Sequence, residues 1–234
     1  MKKLSWILIA VGLVIAMVPL AGNAYTSYRQ GAIMSDWEDF EDVGNAVIAE
    51  ENFAQLQQVF NDKIEEEQKT GEEILKRVID TEVSTPTPSP VPVKKNEKPK
   101  PVQKAIGKIM IEKINVNIPI VEGVNKDNLS IGAGHIPGTS VIGEVGNCAL
   151  AGHRSYTFGR FFNRLNELEI GDKILVTTKK GEFVYTVYKK HIVEPSDTSV
   201  LNRNDKDRVL TLITCEPVYI ASHRLIIHAR IEDE

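Results

Sequence analysis

The chain has 234 residues, enough for one domain of ordinary size with appendages. Its hydrophobic share of 42% and charged share of 26% suit a packed core, and a net charge of -4 carries no nucleic-acid footprint. With only two cysteines, Cys148 and Cys215, a disulfide framework is excluded as the source of stability.

In chain order, Met1-Lys2-Lys3 is followed by an uncharged apolar run from Leu4 to Gly22. At about 1.5 Å per residue this run just reaches across a bilayer. Lys2 and Lys3 would stay in the cytoplasm, placing the rest of the chain outside the cell. Residues 1–28 are therefore read as a cytoplasmic tip and membrane signal-anchor. The competing reading is a cleaved signal peptide ending near Gly22-Asn23-Ala24. The run exceeds the usual length of a signal core, which favours the anchor.

Residues 29–83 form an acidic juxtamembrane segment, with 15 acidic and 4 basic side chains between positions 35 and 83. Apolar residues recur at Phe53, Leu56, Phe60 and Ile64, then at Ile74, Leu75, Val78 and Ile79. That spacing predicts amphipathic helix. Three readings are open for it: a solvated helical stalk, a helix packed on the domain, or a partner-binding helix. Residues 84–104 hold six of the eleven prolines, mostly at alternate positions. Such a run favours extended polyproline II over a packed core and is read as a linker.

From Ala105 to Glu234 acidic and basic side chains balance at 16 each. Short β-prone segments follow one another at 108–111, 118–121, 147–151, 173–178, 183–193, 209–214 and 224–231, with a hairpin turn expected at Lys180-Gly181. Helical signals are confined to Asp127–Leu129 and Phe161–Leu168. Seven or eight strands in this span predict a mainly β, closed or nearly closed barrel.

Three features of this domain carry chemistry. Cys215 ends the run Thr211-Leu212-Ile213-Thr214 and precedes Glu216-Pro217, so a thiol stands at a strand end facing loops. A free cysteine is more often a buried, inert one. His153 lies in Ala151-Gly152-His153-Arg154, directly after the strand Asn147–Ala151, where it can lower a thiol pKa or move protons. Arg224 opens the last strand nine residues after Cys215. If the two strands pair, the guanidinium stands beside the thiol, where it can stabilise an oxyanion. The plainer reading of Arg224 is a rim ion pair with Glu216. His135, His191, His223 and His228 have weaker claims. Cys148, alternating with Leu150, is expected to face the core.

The Thr-Leu-Ile-Thr-Cys run, Arg224 on the next strand, and Ala-Gly-His-Arg about 60 residues upstream resemble the sortase family. Gly132–Thr139 with Gly146-Asn147, and Leu165–Leu168 with Gly171-Asp172, add to the likeness, which covers about residues 105–234. The resemblance implies an eight-stranded sortase β-barrel. It implies Cys215 as nucleophile toward the Thr carbonyl of an LPxTG-like sorting signal, His153 as general acid/base and Arg224 as oxyanion or substrate-orienting group. The thioester would pass to an amine, from a peptidoglycan precursor or a pilin lysine, without cofactor or metal. With its polar ending at Ile231–Glu234 and no Asp-Pro-aromatic lid motif, the chain looks most like class D, the pilin-polymerising class C being the alternative. Rival readings are an L,D-transpeptidase, whose Ser-His-Gly-Cys context is missing, a hydrolytic protease, and a non-enzymatic envelope-binding scaffold.

Overall fold

The computed structural model describes residues 24–25, 27–34, 37, 44–80, 104–154, 161–218 and 220–232. Eight strands form a closed barrel: β1 (Ala105–Ile111), β2 (Val116–Glu122), β3 (Ala133–His135), β4 (Gly146–Ala151), β5 (Lys173–Thr178), β6 (Gly181–Val193), β7 (Arg208–Glu216) and β8 (His223–Arg230). Around the barrel they run β1-β2-β3-β4-β7-β8-β6-β5, and β5 pairs back onto β1. The β2–β3 and β4–β7 pairs are parallel and the remainder antiparallel. Closure removes the exposed sheet edges that would otherwise template aggregation.

The expected barrel is thus present, with two local differences. The short strand β3, reading Ala-Gly-His, has too few branched or aromatic residues to be legible alone, and it exists because β2 and β4 flank it. The hairpin between β5 and β6 turns at Lys179-Lys180, one residue before the expected position. Gly181 pairs with Thr178 at φ +138, a left-handed-side value that glycine adopts without a Cβ penalty.

Side-chain alternation divides the barrel wall. Ile109, Ile111, Ile118, Ile120, Cys148, Leu150, Ile174, Val176, Tyr185, Leu210, Leu212, Leu225 and Ile227 belong to the main core cluster. The alternate positions Ala149, Ala151, Ile213, Cys215 and Ile226 belong to a second buried cluster on the other side of the wall. A barrel strand ordinarily shows one face to water. Here β4 and the apolar part of β7 are buried on both faces, which accounts for their unbroken apolar runs.

The cover on that second face is helix α1 (Ala46–Asp80), whose Ala49, Phe53, Leu56 and Phe60 recur at spacings of four, three and four residues and are each at most 4% exposed. Asn45 caps the helix, its Oδ1 accepting from the Val47 amide at 3.0 Å. The Asn45 amide donates to the Gly138 carbonyl at 2.7 Å, pinning the helix start to the loop after β3. Further along the helix Lys126, in the short helix α2 (Lys126–Leu129), meets Glu66 at 2.9 Å. Residues 49–64 of the acidic segment are therefore not a free stalk: burying two Phe and a Leu is worth about 1.5–3 kcal/mol each, which draws this part of the helix onto the barrel. Its acidic residues Glu50, Glu51, Asp62, Glu65 and Glu66 stay on the exposed side.

The anchor read at residues 4–22 and the proline-rich linker, apart from Lys104, lie outside the described residues. Among the described residues no helix is long and apolar enough to cross a membrane.

Candidate active site

The ends of β4, β7 and β8 meet at one place on the outer wall. Cys215 is register-paired with Arg224 across the antiparallel β7–β8 ladder. In the parallel β4–β7 ladder Ala151 pairs with Ile213, so two further residues along each strand lead to His153 and Cys215. The Gly152 amide donates to the Ile213 carbonyl at 3.1 Å, and the Thr214 hydroxyl donates back to the Gly152 carbonyl at 2.8 Å. Each residue preceding a candidate catalytic side chain is thereby tied to the other strand.

One position further on, a second clamp repeats the tie. Arg154 Nη1 donates to the Cys215 carbonyl at 3.2 Å and forms an ion pair with the Glu216 carboxylate. The ion pair anticipated between Arg224 and Glu216 is thus replaced: Glu216 belongs to Arg154. Arg224 turns instead into the covered groove and is 0% exposed. Its Nη1 donates to the Ala221 and His223 carbonyls at 2.7 and 2.8 Å, and its Nε to Gln57 Oε1 of α1 at 2.6 Å. Its Nη2 is buried without a hydrogen-bond partner.

Phe60 of α1 fills the space between the remaining groups. Its ring centroid lies 5.6 Å from that of His153 and 5.2 Å from Arg224 Cζ, the latter a cation–π contact. Cys215 sits in the same cluster, 6% exposed. The three side chains singled out in the sequence are therefore brought to one groove, and α1 lies in it. Gln57 and Phe60 carried no signal beyond helical apolar spacing, and the Arg154–Glu216 and Thr214–Gly152 ties none at all.

Burial, with Lys63 and Lys126 adding like charge, lowers the His153 pKa from 6.5 to about 4. The ring is neutral at neutral pH, the form able to take a proton. Burial also lowers the Arg224 pKa, opposed by the neighbouring Cys215 side chain, yet a guanidinium stays charged in proteins.

The other histidines lie elsewhere. His228 is buried on β8, its Nδ1 2.8 Å from the Thr211 hydroxyl, and burial lowers its pKa to about 4. His223 meets Glu194 at 3.2 Å, and His191 stacks on His228 at 5.1 Å between centroids. His135 is a structural pin: Nδ1 lies 2.7 Å from Glu122 Oε2 and Nε2 3.1 Å from the Ser140 carbonyl. Both ring nitrogens face acceptors, as a doubly protonated ring requires. Burial works against that charge, but hydrogen bonds to Cys148 and Glu122 outweigh it and raise the pKa to about 10. Cys148 itself is buried in the main core cluster, as expected, and both cysteines are free.

These shifts predict opposite pH arms. His153 and His228, held neutral, contribute stability that is complete above pH 6.5 and erodes as pH falls toward about 4. His135, held charged, contributes stability that is complete below pH 6.5 and is lost as pH rises through about 10. Thermal midpoints measured between pH 6.5 and 4.5 are expected to fall steadily, since the His135 contribution is already complete at the upper end of that interval. A flat profile over that interval contradicts neutral burial of the two rings.

Residues 109–232 match the family model described as the Sortase domain. The chain belongs to the sortase family. It is 38% identical over 130 residues to Sortase D of Bacillus subtilis, covering 54% of this chain and 64% of that protein. It is 32% identical over 133 residues to Sortase A of Streptococcus agalactiae, covering 54% of this chain and 53% of that protein. The match thus spans less than two thirds of either sortase's length. Among solved structures, sortase A from Corynebacterium diphtheriae superposes with a TM-score of 0.54 at 30% identity, over 56% of this chain and 62% of that one. Streptococcus agalactiae sortase C1 gives 0.53 at 30% identity, over 56% and 70%. The sortase match covers the barrel and its Cys215, His153 and Arg224 positions, and starts after α1.

Among the described residues no group of three or more His, Cys, Asp or Glu side chains is arranged to hold a metal ion.

Proposed function

We propose that this sortase is a cysteine transpeptidase that cleaves an LPxTG-like sorting signal after its Thr and transfers the acyl group to an amine of the cell envelope. The observation that carries the reading is the pairing of Cys215 with Arg224 on an outer groove that His153 also lines. A thiol without a neighbouring base and a fixed cation would be an ordinary buried cysteine.

The chemistry follows from those three groups. Neutral His153 takes the thiol proton as Cys215 Sγ bonds to the Thr carbonyl carbon. The carbonyl π electrons move onto oxygen, and the Arg224 guanidinium, already facing the groove, stabilises that charge. The C–N bond to the next residue breaks, and the departing amine takes its proton from His153. A thioester remains on Cys215. The acceptor amine attacks it, loses a proton to His153 and releases the thiol. The unpartnered, buried Nη2 of Arg224 is a donor available to such an oxygen.

The similarity to Sortase D and the alternation of linker, helix and apolar N-terminal run in the sequence support wall anchoring from a single-pass, outward-facing enzyme over pilin polymerisation. The test is mass spectrometry of the full chain with an LPxTG-like peptide and two amines, a peptidoglycan-type oligoglycine and a lysine side-chain amine. Transfer to the first supports anchoring, and transfer to the second alone supports pilin joining. Free acid as the sole product indicates a protease, and no product with any peptide of a sorting-signal panel leaves a binding scaffold.

A further inference from the structure

The outer faces of β6 and β8 carry a stack of rings that the proposed reaction does not use. His228 alternates with the core residues Ile227 and Ala229, so its side chain leaves the barrel interior, and it is 8% exposed. The His191 ring stacks on it at 5.1 Å between centroids and 23° between planes. Tyr188 stacks on it at 6.0 Å and 24°, and Arg230 Cζ stands 5.4 Å from the Tyr188 centroid. A ring whose face is taken by stacking offers its edge to solutes. For a neutral imidazole that edge carries the nitrogen lone pair.

A relay of hydrogen bonds fixes which nitrogen of His228 holds that lone pair. Asn147 Nδ2 donates to the Val200 and Asn202 carbonyls at 3.0 and 3.2 Å, so its oxygen is the atom that faces Thr211. The single hydroxyl proton of Thr211 goes to that oxygen at 2.6 Å. Toward His228 Nδ1, 2.8 Å away, the hydroxyl can then only accept. Nδ1 therefore carries the ring proton, and Nε2 of the neutral ring carries the lone pair. Burial, with His191 and Lys189 as lesser causes, lowers the His228 pKa to about 4. Burial and Lys189 lower that of His191, opposed by Asp197. Both rings are thus neutral at neutral pH, the form that ligates metal. His191 adds an unmet nitrogen: its Nδ1 is buried with no hydrogen-bond partner.

We propose that His191 and His228 form a two-imidazole site for a borderline divalent metal ion of the Cu2+ or Zn2+ class, with Asn147 and Thr211 holding His228 in its ligand tautomer. Imidazole nitrogen suits these ions, and a ligating histidine characteristically donates its other ring N–H to a fixed acceptor. Metal–nitrogen bonds of about 2.0–2.1 Å at a tetrahedral angle set two ligand nitrogens roughly 3.4 Å apart. Near-parallel rings 5.1 Å apart need only a turn of half-buried His191 to converge on one ion, with water in the remaining positions. The charges nearby come close to balance: Asp197, in the connection after β6, favours a cation and Lys189 of β6 opposes it. Two neutral nitrogen ligands therefore select an ion that bonds nitrogen over Ca2+ or Mg2+, which demand oxygen. His228 stands four residues beyond Arg224 on β8, and its partner Thr211 four before Cys215 on β7. At about 3.3 Å per residue the ion sits about 13 Å from the groove and holds β6 to β8 without touching the groups that react.

Copper(II) chloride and zinc chloride are the probes, added to the untagged full chain carrying Cys215→Ala so that the groove thiol binds neither ion. Calorimetric titration is expected to show one equivalent of Cu2+ bound, electron paramagnetic resonance to show two imidazole nitrogens on it, and the thermal midpoint to rise with either metal. In that background His191→Ala and His228→Ala are each expected to weaken binding at least about tenfold. Thr211→Val is expected to weaken it about 10–100-fold, the usual effect of removing the partner that orients a metal-ligating histidine. Absence of saturable binding up to about 1 mM of either ion overturns the proposal. So does an affinity within twofold of the parent in both histidine variants with thermal midpoints retained. His191→Ala leaves the Asn147–Thr211–His228 relay intact, so it carries the test if His228→Ala does not fold. An unchanged affinity in Thr211→Val overturns the part assigned to the relay.

Discussion

Cys215→Ala is expected to keep its fold and to form no covalent adduct with an LPxTG-like peptide, with turnover reduced by at least about a thousandfold. The loss is large because the proposed reaction runs through a bond to this sulfur. The fold survives because Cys215 belongs to the smaller cluster under α1, outside the main barrel core. Cys148 provides an internal control: it sits within that core and pairs in register with Leu210, on the far side of the wall. Intact-mass measurement after peptide addition, repeated for Cys148→Ala, decides the matter. An adduct surviving in Cys215→Ala would assign the chemistry elsewhere and end the proposed mechanism.

Arg224→Ala is expected to lower kcat about 10²–10³-fold while KM changes little, because an oxyanion donor acts on the transition state more than on the bound substrate. Arg224→Lys should recover only part of that loss. A lysine keeps the charge but not the planar fork that reaches Ala221, His223 and the groove together. The guanidinium is also structural, since it satisfies two carbonyls of the β7–β8 connection. Removing it leaves those acceptors unpaired at about 1–3 kcal/mol each if they stay dry. Thermal midpoints must therefore accompany the kinetics. A fall in kcat with a retained midpoint belongs to catalysis, whereas equal kcat in a stable Arg224→Ala protein excludes the oxyanion role.

The clamps around the site explain how such precision is kept at strand ends. Gly152 and Thr214 tie the residues before His153 and Cys215, and Arg154 and Glu216 tie the residues after them. His153 and Cys215 come from the ends of two parallel strands whose register is set six pairs deep. A rigid ladder holds the pair better than a loop would.

Much of this was legible before any coordinates. The strand segments, the core-facing Cys148 and the grouping of His153, Cys215 and Arg224 follow from period-two alternation, turn residues and a motif whose spacing is specific. Alternation also carried a signal that is plain only in hindsight. The unbroken apolar runs at Asn147–Ala151 and Val209–Thr214 mean burial on both faces, and a barrel interior supplies only one of them. Something had to cover the other.

What covers it was decided by tertiary structure alone. The amphipathic pattern of residues 49–60 determined that a helix forms and which stripe it buries, because side chains three and four apart share a face whatever the partner. Chain position determined nothing about where that stripe docks. Phe60 reaches His153 and Gln57 reaches Arg224 across separations of 93 and 167 residues. Likewise the sequence alone paired Arg224 with Glu216 by proximity, and folding gave Glu216 to Arg154 because β4 lies parallel to β7. Local periodicity is set by backbone geometry and is readable residue by residue. Docking is set by shape and unsatisfied polar groups on surfaces that exist only once the barrel has closed.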